Sequence, residues 1–155
     1  MKLEHISKVA VTVAIVLGIG MVVLGSIFMV MGLDARGDIR EALVKENVIT
    51  SKDAPIPGVL VRDADTAKAQ AVAIESHTFG RFGPYSSMER DDPNRATYLD
   101  GLTLRNSLNM AVLGFKISEL VVGIGALIIG LGVAHIALLA PVLYWGRGAE
   151  RHATV

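Results

Sequence analysis

Two long apolar stretches enclose a polar middle, and no other feature limits the possible fold as strongly. The first covers residues 9–33 and the second runs from about residue 120 to residue 145. Each exceeds the roughly 20 helical residues that cross the hydrocarbon layer of a bilayer. The expected fold is therefore an all-α membrane protein, a two-transmembrane-helix hairpin carrying a mostly helical extracytoplasmic insert. The segments read as a tail (1–8), a first span (9–33), an insert (34–108), a long second helix extending out of the membrane (109–145) and a second tail (146–155).

Composition narrows the chemistry. Of the 155 residues, 52% are hydrophobic, which suits a small integral membrane protein. The formal net charge is zero, so no global field draws the chain to nucleic acid. There is no cysteine, which removes disulfides, thiolate catalysis, cysteine zinc sites, iron–sulfur ligation and thioether haem attachment. The first apolar run is longer than the 7–15 residues of a signal-peptide core, and no small-x-small cleavage site follows before Asp34; an uncleaved span is expected.

Two spans return both tails to one side. The tails carry Lys2, Lys8, Arg147 and Arg151 against Glu4 and Glu150, and short basic tails stay in the cytoplasm. Loops beyond about 60 residues are largely exempt from that rule. The expected placement is a bacterial cytoplasmic membrane with the tails inside and the insert outside. Tyr144 and Trp145, beside Arg147, read as an interfacial anchor.

Along the insert, Arg36-Gly37-Asp38 reads as a break after the first helix. Its integrin-type Arg-Gly-Asp spelling is three common residues and carries no weight. Asp38 with Glu41 then resembles a capping box for a short helix to Val48, with Glu41 and Lys45 paired four apart. Pro55 and Pro57 force an extended or turned segment over 54–58. Asp65 is the expected N-cap of an alanine-rich helix through His77, with Gly80 as its stop and 79–88 as loop. Asp92-Pro93 predicts the start of the second long helix, continuous to Trp145, with Gly101 its weakest link.

The spans are patterned with glycine. Gly18, Gly25 and Gly32 are seven apart and share one stripe of helix one. Gly123 and Gly130 repeat the spacing on helix two, as do Ser118, Gly125 and Gly132. Such stripes let membrane helices approach closely, although glycine is also common in membrane helices generally. Two stripes on one helix exceed what a single pairing needs and suggest partner subunits.

His135 lies ten residues, about 15 Å, before Trp145 and so near mid-bilayer, where polar residues are costly and often functional. Antiparallel counting puts it level with Gly18 to Gly20, beside a neighbour without a side chain. Two readings stand: an axial ligand to haem or a chlorophyll-type pigment, or a neutral histidine bonded to a carbonyl or to a hydroxyl such as Thr12. Haem ligation would need a second ligand from another chain. Lys116 and Glu119, three apart at the outer interface, are expected to pair and to dock a neighbour. Glu89, Asp91 and Asp92 lack the spacing of a calcium loop and read as a solvated face. His77 reads as a surface histidine, and Met21, Met29 and Met31 as packing. No phosphate loop, dinucleotide fingerprint or hydrolase elbow occurs, so no catalytic residue and no metal ligand is assigned.

Residues 49–54 (Ile-Thr-Ser-Lys-Asp-Ala), 66–71 (Thr-Ala-Lys-Ala-Gln-Ala), 97–105 (Thr-Tyr-Leu-Asp-Gly-Leu-Thr-Leu-Arg) and 119–127 (Glu-Leu-Val-Val-Gly-Ile-Gly-Ala-Leu) resemble an uncharacterised family of small two-span membrane proteins of actinobacterial type. The resemblance covers most of the chain beyond the first span. It implies architecture and a bacterial source, not an activity. Some members are labelled aromatic ring-opening dioxygenases, a label this sequence does not support, since it offers no plausible iron triad of two histidines and a carboxylate in one aqueous site.

Three functions are open on these residues. The first is a non-catalytic accessory subunit that packs by its glycine-lined faces against other membrane protein subunits. The second is a cofactor-binding subunit of an electron-transfer or light-harvesting complex, using His135. The third is an extracytoplasmic ligand-binding or sensing module, whose tails of about ten residues leave any output to a partner.

Overall fold

The computed structural model describes the backbone of residues 2–139, 141 and 142, and the side chains of 9–138, 141 and 142. The expected anchor at Tyr144 and Trp145 lies outside the described residues. Among the described residues four α-helices follow one another: α1 (Lys2–Lys45), α2 (Ala64–His77), α3 (Phe79–Phe82) and α4 (Arg95–Ala134). A 3₁₀ turn covers Tyr85–Ser87, and a π-helical turn covers His135–Leu139. Among the described residues the only β pairing is one isolated bridge between Ile49 and Leu60. The chain divides into two compact units, one drawn from residues 1–32 and 120–155, the other from 33–119.

Both α1 and α4 are long and apolar enough to cross a membrane. Only 17% and 11% of their most apolar windows is buried, whereas the core helix of a soluble protein would be mostly buried. In the first unit the two helices run antiparallel. Gly18 lies against Gly132, and Gly25 against Gly125. Seven residues along one helix match seven back along the other, so the close approaches recur on one seam. Where each glycine leaves a gap, a larger side chain of the partner helix fills it: Ile129 over Gly25, Met29 over Gly125, Ile136 over Gly18 and Val22 over Gly132.

Helix α1 does not break at Gly37, as the sequence suggested; it runs through Arg36, Gly37 and Asp38 to Lys45. Asp38 therefore caps nothing. A glycine inside a helix costs only about 1 kcal/mol relative to alanine, and the next turns are held by packing. Ile39 reaches Gly114 of α4, and Leu43 packs on the core of this unit. The expected Glu41–Lys45 pair is present at 2.8 Å. The helix ends where Asn47 takes a left-handed φ of 49° and donates to the Val44 carbonyl, a conformation that asparagine tolerates better than most residues.

A pinched loop follows in the second unit. The Val61 N–H donates to the Val48 carbonyl at 2.8 Å, and Thr50 exchanges backbone bonds with Val59 and Gly58. The buried Thr50 hydroxyl also accepts from the Val59 N–H at 2.9 Å. Gly58, at φ 69°, turns the chain after the two prolines.

Helix α2 begins at Ala64, with Asp63 and not Asp65 as its N-cap. The Asp63 carboxylate accepts from the Thr66 N–H at 2.9 Å, while the Thr66 hydroxyl accepts from the Asp63 N–H. Thr66 closes this capping box because it lies three residues on, a register in which Asp65 has no equivalent. The alanines explain themselves in the fold. Ala67 and Ala71 share one apolar cluster with Val61 and Leu108, while Ala69 and Ala73 share another with Ala54. Two residues apart is 200° around a helix, so α2 is packed closely on opposite sides and only small residues fit.

The segment 79–88 is not plain loop. Thr78 bonds to the Ile74 carbonyl through its hydroxyl and starts the short α3, which passes through Gly80. The positive φ expected of a stop belongs to Gly83 instead (73°). Thr78 also explains Gly101: a β-carbon there would meet the Thr78 methyl, so the glycine admits α2 against α4. Helix α4 starts at Arg95, two residues later than the sequence suggested. The Asp92 carboxylate is taken by the Asn94 N–H at 2.7 Å, and the Asn94 carbonyl receives the Tyr98 N–H. At His135 its α-helical ladder passes into the π-helical turn, residues 141 and 142 are again helical, and the expected end at Trp145 lies outside the described residues. Pro141 offers no N–H and its ring crowds the carbonyl four residues back, so the ladder widens into the π-helical turn before it.

Candidate functional site

The glycine faces separate cleanly. Gly18, Gly25, Gly125 and Gly132 are buried on the seam between α1 and α4. A β-carbon added at Gly25 would stand 2.5 Å from the Gly125 carbonyl oxygen, and one at Gly132 would stand 2.6 Å from that of Gly18. Gly32 and Ser118, which continue the two stripes, are also buried. Gly123 and Gly130 are exposed, with nothing within 4 Å of an added β-carbon, and so is Gly20. The reason is angular: Gly123 is two residues, or 200°, from Gly125, and Gly20 the same from Gly18. The spacing showed two stripes on helix two, but only the register between helices decides which one faces inward.

That register also moves His135. Gly132 lies against Gly18, so His135, three residues on, is level with Ile15 rather than with Gly18 to Gly20. The room beside Gly18 is taken by Ile136, whose Cγ1 would meet an added β-carbon at 2.6 Å. His135 is half-buried and is the first residue of the π-helical turn. Lys116 and Glu119 are both exposed, and no ion pair among the described residues joins them. At three residues' separation in an exposed setting, the weak Coulomb gain does not hold two long side chains together.

In the second unit, Asp92 closes a turn with Asn94, and the Glu89 carbonyl receives Arg95; their neighbour Asp91 is exposed. Among the described residues no three histidine, aspartate or glutamate side chains converge on a point suited to a metal ion. His77, read as a surface histidine, is exposed and meets Asp53 at 2.6 Å. The acid comes from a loop 24 residues earlier, which a local reading of the sequence does not reach.

The feature that the sequence did not announce is a cleft of about 370 Å³ in the second unit. Its apolar lining comes from Leu43 of α1, Val48 and Val61 of the pinched loop, Ile74 of α2, and Leu104 and Leu108 of α4. Three polar side chains reach it: Glu46, Gln70 and Ser107. Gln70 is pinned, because its Oε1 accepts the Ser51 N–H at 2.8 Å and its Nε2 donates to the Ser51 hydroxyl at 3.3 Å. Ser107 donates to the Thr103 carbonyl and keeps its lone pairs free to accept. Leu104 is 57% exposed at the edge of the cleft. A hollow of similar size, lined by Asp38, Glu41, Ala42 and Lys45 of α1 and by Glu46 just beyond it, has walls from one continuous stretch of chain and is largely open. The spacing of Leu104 and Leu108, and of Gln70 and Ile74, was the available sequence signal: each pair is four apart and shares a helix face.

No family model matches the chain, and no curated protein or solved structure matches it.

Proposed function

We propose that this chain is a non-catalytic accessory subunit of a larger bacterial membrane assembly. In this reading α1 and α4 cross the bilayer as a hairpin, both tails lie in the cytoplasm, and residues 34–108 stand on the outer side. One observation carries it. The hairpin seam is already closed by Gly18, Gly25, Gly125 and Gly132, yet Gly123, Gly130 and Gly20 remain open on the outward faces. In lipid, close backbone approach is a main source of helix association, so an open glycine face suits a partner helix. The antiparallel seam further supports a first span retained in the mature chain rather than a cleaved signal. The resemblance to two-span membrane proteins of actinobacterial type fits the same architecture.

The test is purification from native expression in a mild detergent. The chain is expected to bring a larger membrane subunit with it, and a Gly123→Ile, Gly130→Ile double variant to lose that subunit while keeping its own helical signal. Recovery of the native chain as a clean monomer would refute the reading.

A second reading, binding of haem or a pigment by His135, is favoured by one feature. The histidine opens a π-helical turn, a geometry that often marks functional positions. A visible absorption band in the purified protein that disappears in His135→Leu supports it; a colourless preparation removes it.

A further inference from the structure

The geometry points to the cleft in the second unit as a binding site for a small organic cation, an apolar body of one or two rings or a short alkyl chain with an ammonium head. This rests on the cleft alone and not on the accessory-subunit reading. A cavity of about 150 Å³ with apolar walls takes up a benzene-sized molecule; this one, at about 370 Å³, is larger and falls at the lower end of the range for small-ligand sites. Its walls come from four separate segments. The pinched loop is tied down by Thr50 and by the Gln70–Ser51 bonds, so the shape is set before any ligand arrives. Leu104 at 57% exposure and Val48 at 36% are apolar surface left open at this place in the fold.

The sign of the ligand follows from the charges. Glu46 is the only ionisable residue that lines the cleft, and it is exposed. The neighbouring Lys45 is committed to Glu41, and no cation pairs with Glu46 among the described residues. An ammonium group placed there gains a carboxylate partner, whereas a carboxylate or phosphate meets like charge with no lysine or arginine lining the cleft to offset it. The Ser107 hydroxyl can accept a second ammonium proton, and the apolar body lies between Leu43, Val61, Ile74 and Leu108.

The experiment uses the full chain in nanodiscs of zwitterionic lipid, with empty discs subtracted. Isothermal titration compares 4-phenylbutylamine, 4-phenylbutanol and 4-phenylbutyrate, three ligands with one body and different heads. The amine is expected to bind at least about tenfold more tightly than the carboxylate, and Glu46→Gln to erase its advantage over the alcohol. Leu104→Trp, which fills the mouth of the cleft, is expected to weaken the amine about tenfold or more; if its thermal transition shows that it does not fold, Ser107→Leu narrows the same space. No binding above empty discs, equal binding of amine and carboxylate, a preference that survives Glu46→Gln, or unchanged binding after the cleft is filled would each overturn the assignment.

Discussion

Gly25 and Gly125 meet backbone to backbone: a β-carbon on either would lie 2.5 or 2.6 Å from the carbonyl oxygen of the other. Neither carbonyl can swing aside without breaking its own helix, so Gly25→Ala and Gly125→Ala must spread the helices. Each is expected to destabilise the folded chain by about 1–3 kcal/mol, the usual range for overpacking. Gly123→Ala, two residues away and facing open space, is expected to be neutral or to stabilise by up to about 1 kcal/mol through helix propensity. Reversible unfolding in detergent, comparing the three variants, checks the contrast. Equal losses at Gly123 and Gly125 would show that the seam lies elsewhere.

Asp63 gives the second unit an acid-sensitive cap. The Thr66 N–H bonded to its carboxylate holds the carboxyl below the usual range; burial opposes this, while the Thr66 hydroxyl and the charges of Arg62 and Arg40 assist. A carboxyl whose folded pKa is depressed adds stability above its unfolded pKa, about 3.9, and loses that stability as pH falls through the folded value. Asp63→Asn keeps a capping oxygen but cannot titrate. Thermal melts from pH 7 downward are therefore expected to show the native chain ahead at neutral pH and the gap closing below about pH 4. Asp63→Ala is expected to lose about 1 kcal/mol at pH 7. A gap that widens on acidification would contradict the assignment.

Much of the architecture was legible because it depends on periodicities the chain carries in itself. The two apolar runs, the heptads of glycine, the end of α2 at His77 and the Glu41–Lys45 pair are all local patterns, and the structure contains each. Reading failed where a distant residue decides. Gly37 looks like a breaker until Ile39 is found packed on Gly114, 75 residues away. His77 is the surface residue expected of it, but its partner Asp53 comes from a loop that local sequence does not reach. Asp65 and Asp63 are equal cap candidates by residue type, and only the hydroxyl of Thr66, at the right offset from one of them, separates them. The cleft was not legible because its six apolar walls are ordinary core-type residues on four segments, and nothing in their spacing shows that the space between them stays open.

Gln70 tests whether the loop is held by α2. Its side chain supplies the acceptor for the half-buried Ser51 N–H, and no other acceptor for that N–H is found among the described residues. Gln70→Leu, close in volume, leaves the donor unpaired and is expected to cost about 1–3 kcal/mol. Hydrogen exchange is the more telling measurement. Ser51 and its neighbours Thr50 and Val61 are expected to lose protection while the α4 amides near Leu108 keep theirs. Uniform loss across the unit would mean that the side chain supports the whole core and not the loop in particular.

Arg95 makes the sharpest case for one side chain organising a segment. From the first turn of α4 its guanidinium donates to the Met88 carbonyl at 2.8 Å and the Glu89 carbonyl at 3.1 Å, and to the Tyr85 hydroxyl at 2.6 Å. It also lies 4.2 Å from the centre of the Tyr85 ring, and Tyr85 in turn packs on the buried Tyr98. Residues 83–93 contain no α-helix of their own and lean on these contacts. A lysine keeps the charge, but its three donors radiate from one atom, so it does not reproduce a fork whose two nitrogens reach separate acceptors while the guanidinium plane lies over the Tyr85 ring. Arg95→Lys is accordingly expected to lose about 1–3 kcal/mol and to make the peptide bonds between Gly83 and Asp92 susceptible to limited proteolysis. Tyr85→Phe, which removes one bond but keeps the ring under the guanidinium, is expected to lose less than Arg95→Lys. If both variants resist protease as well as the native chain, the segment is held by the packing of Met88 and Tyr98 and not by the arginine.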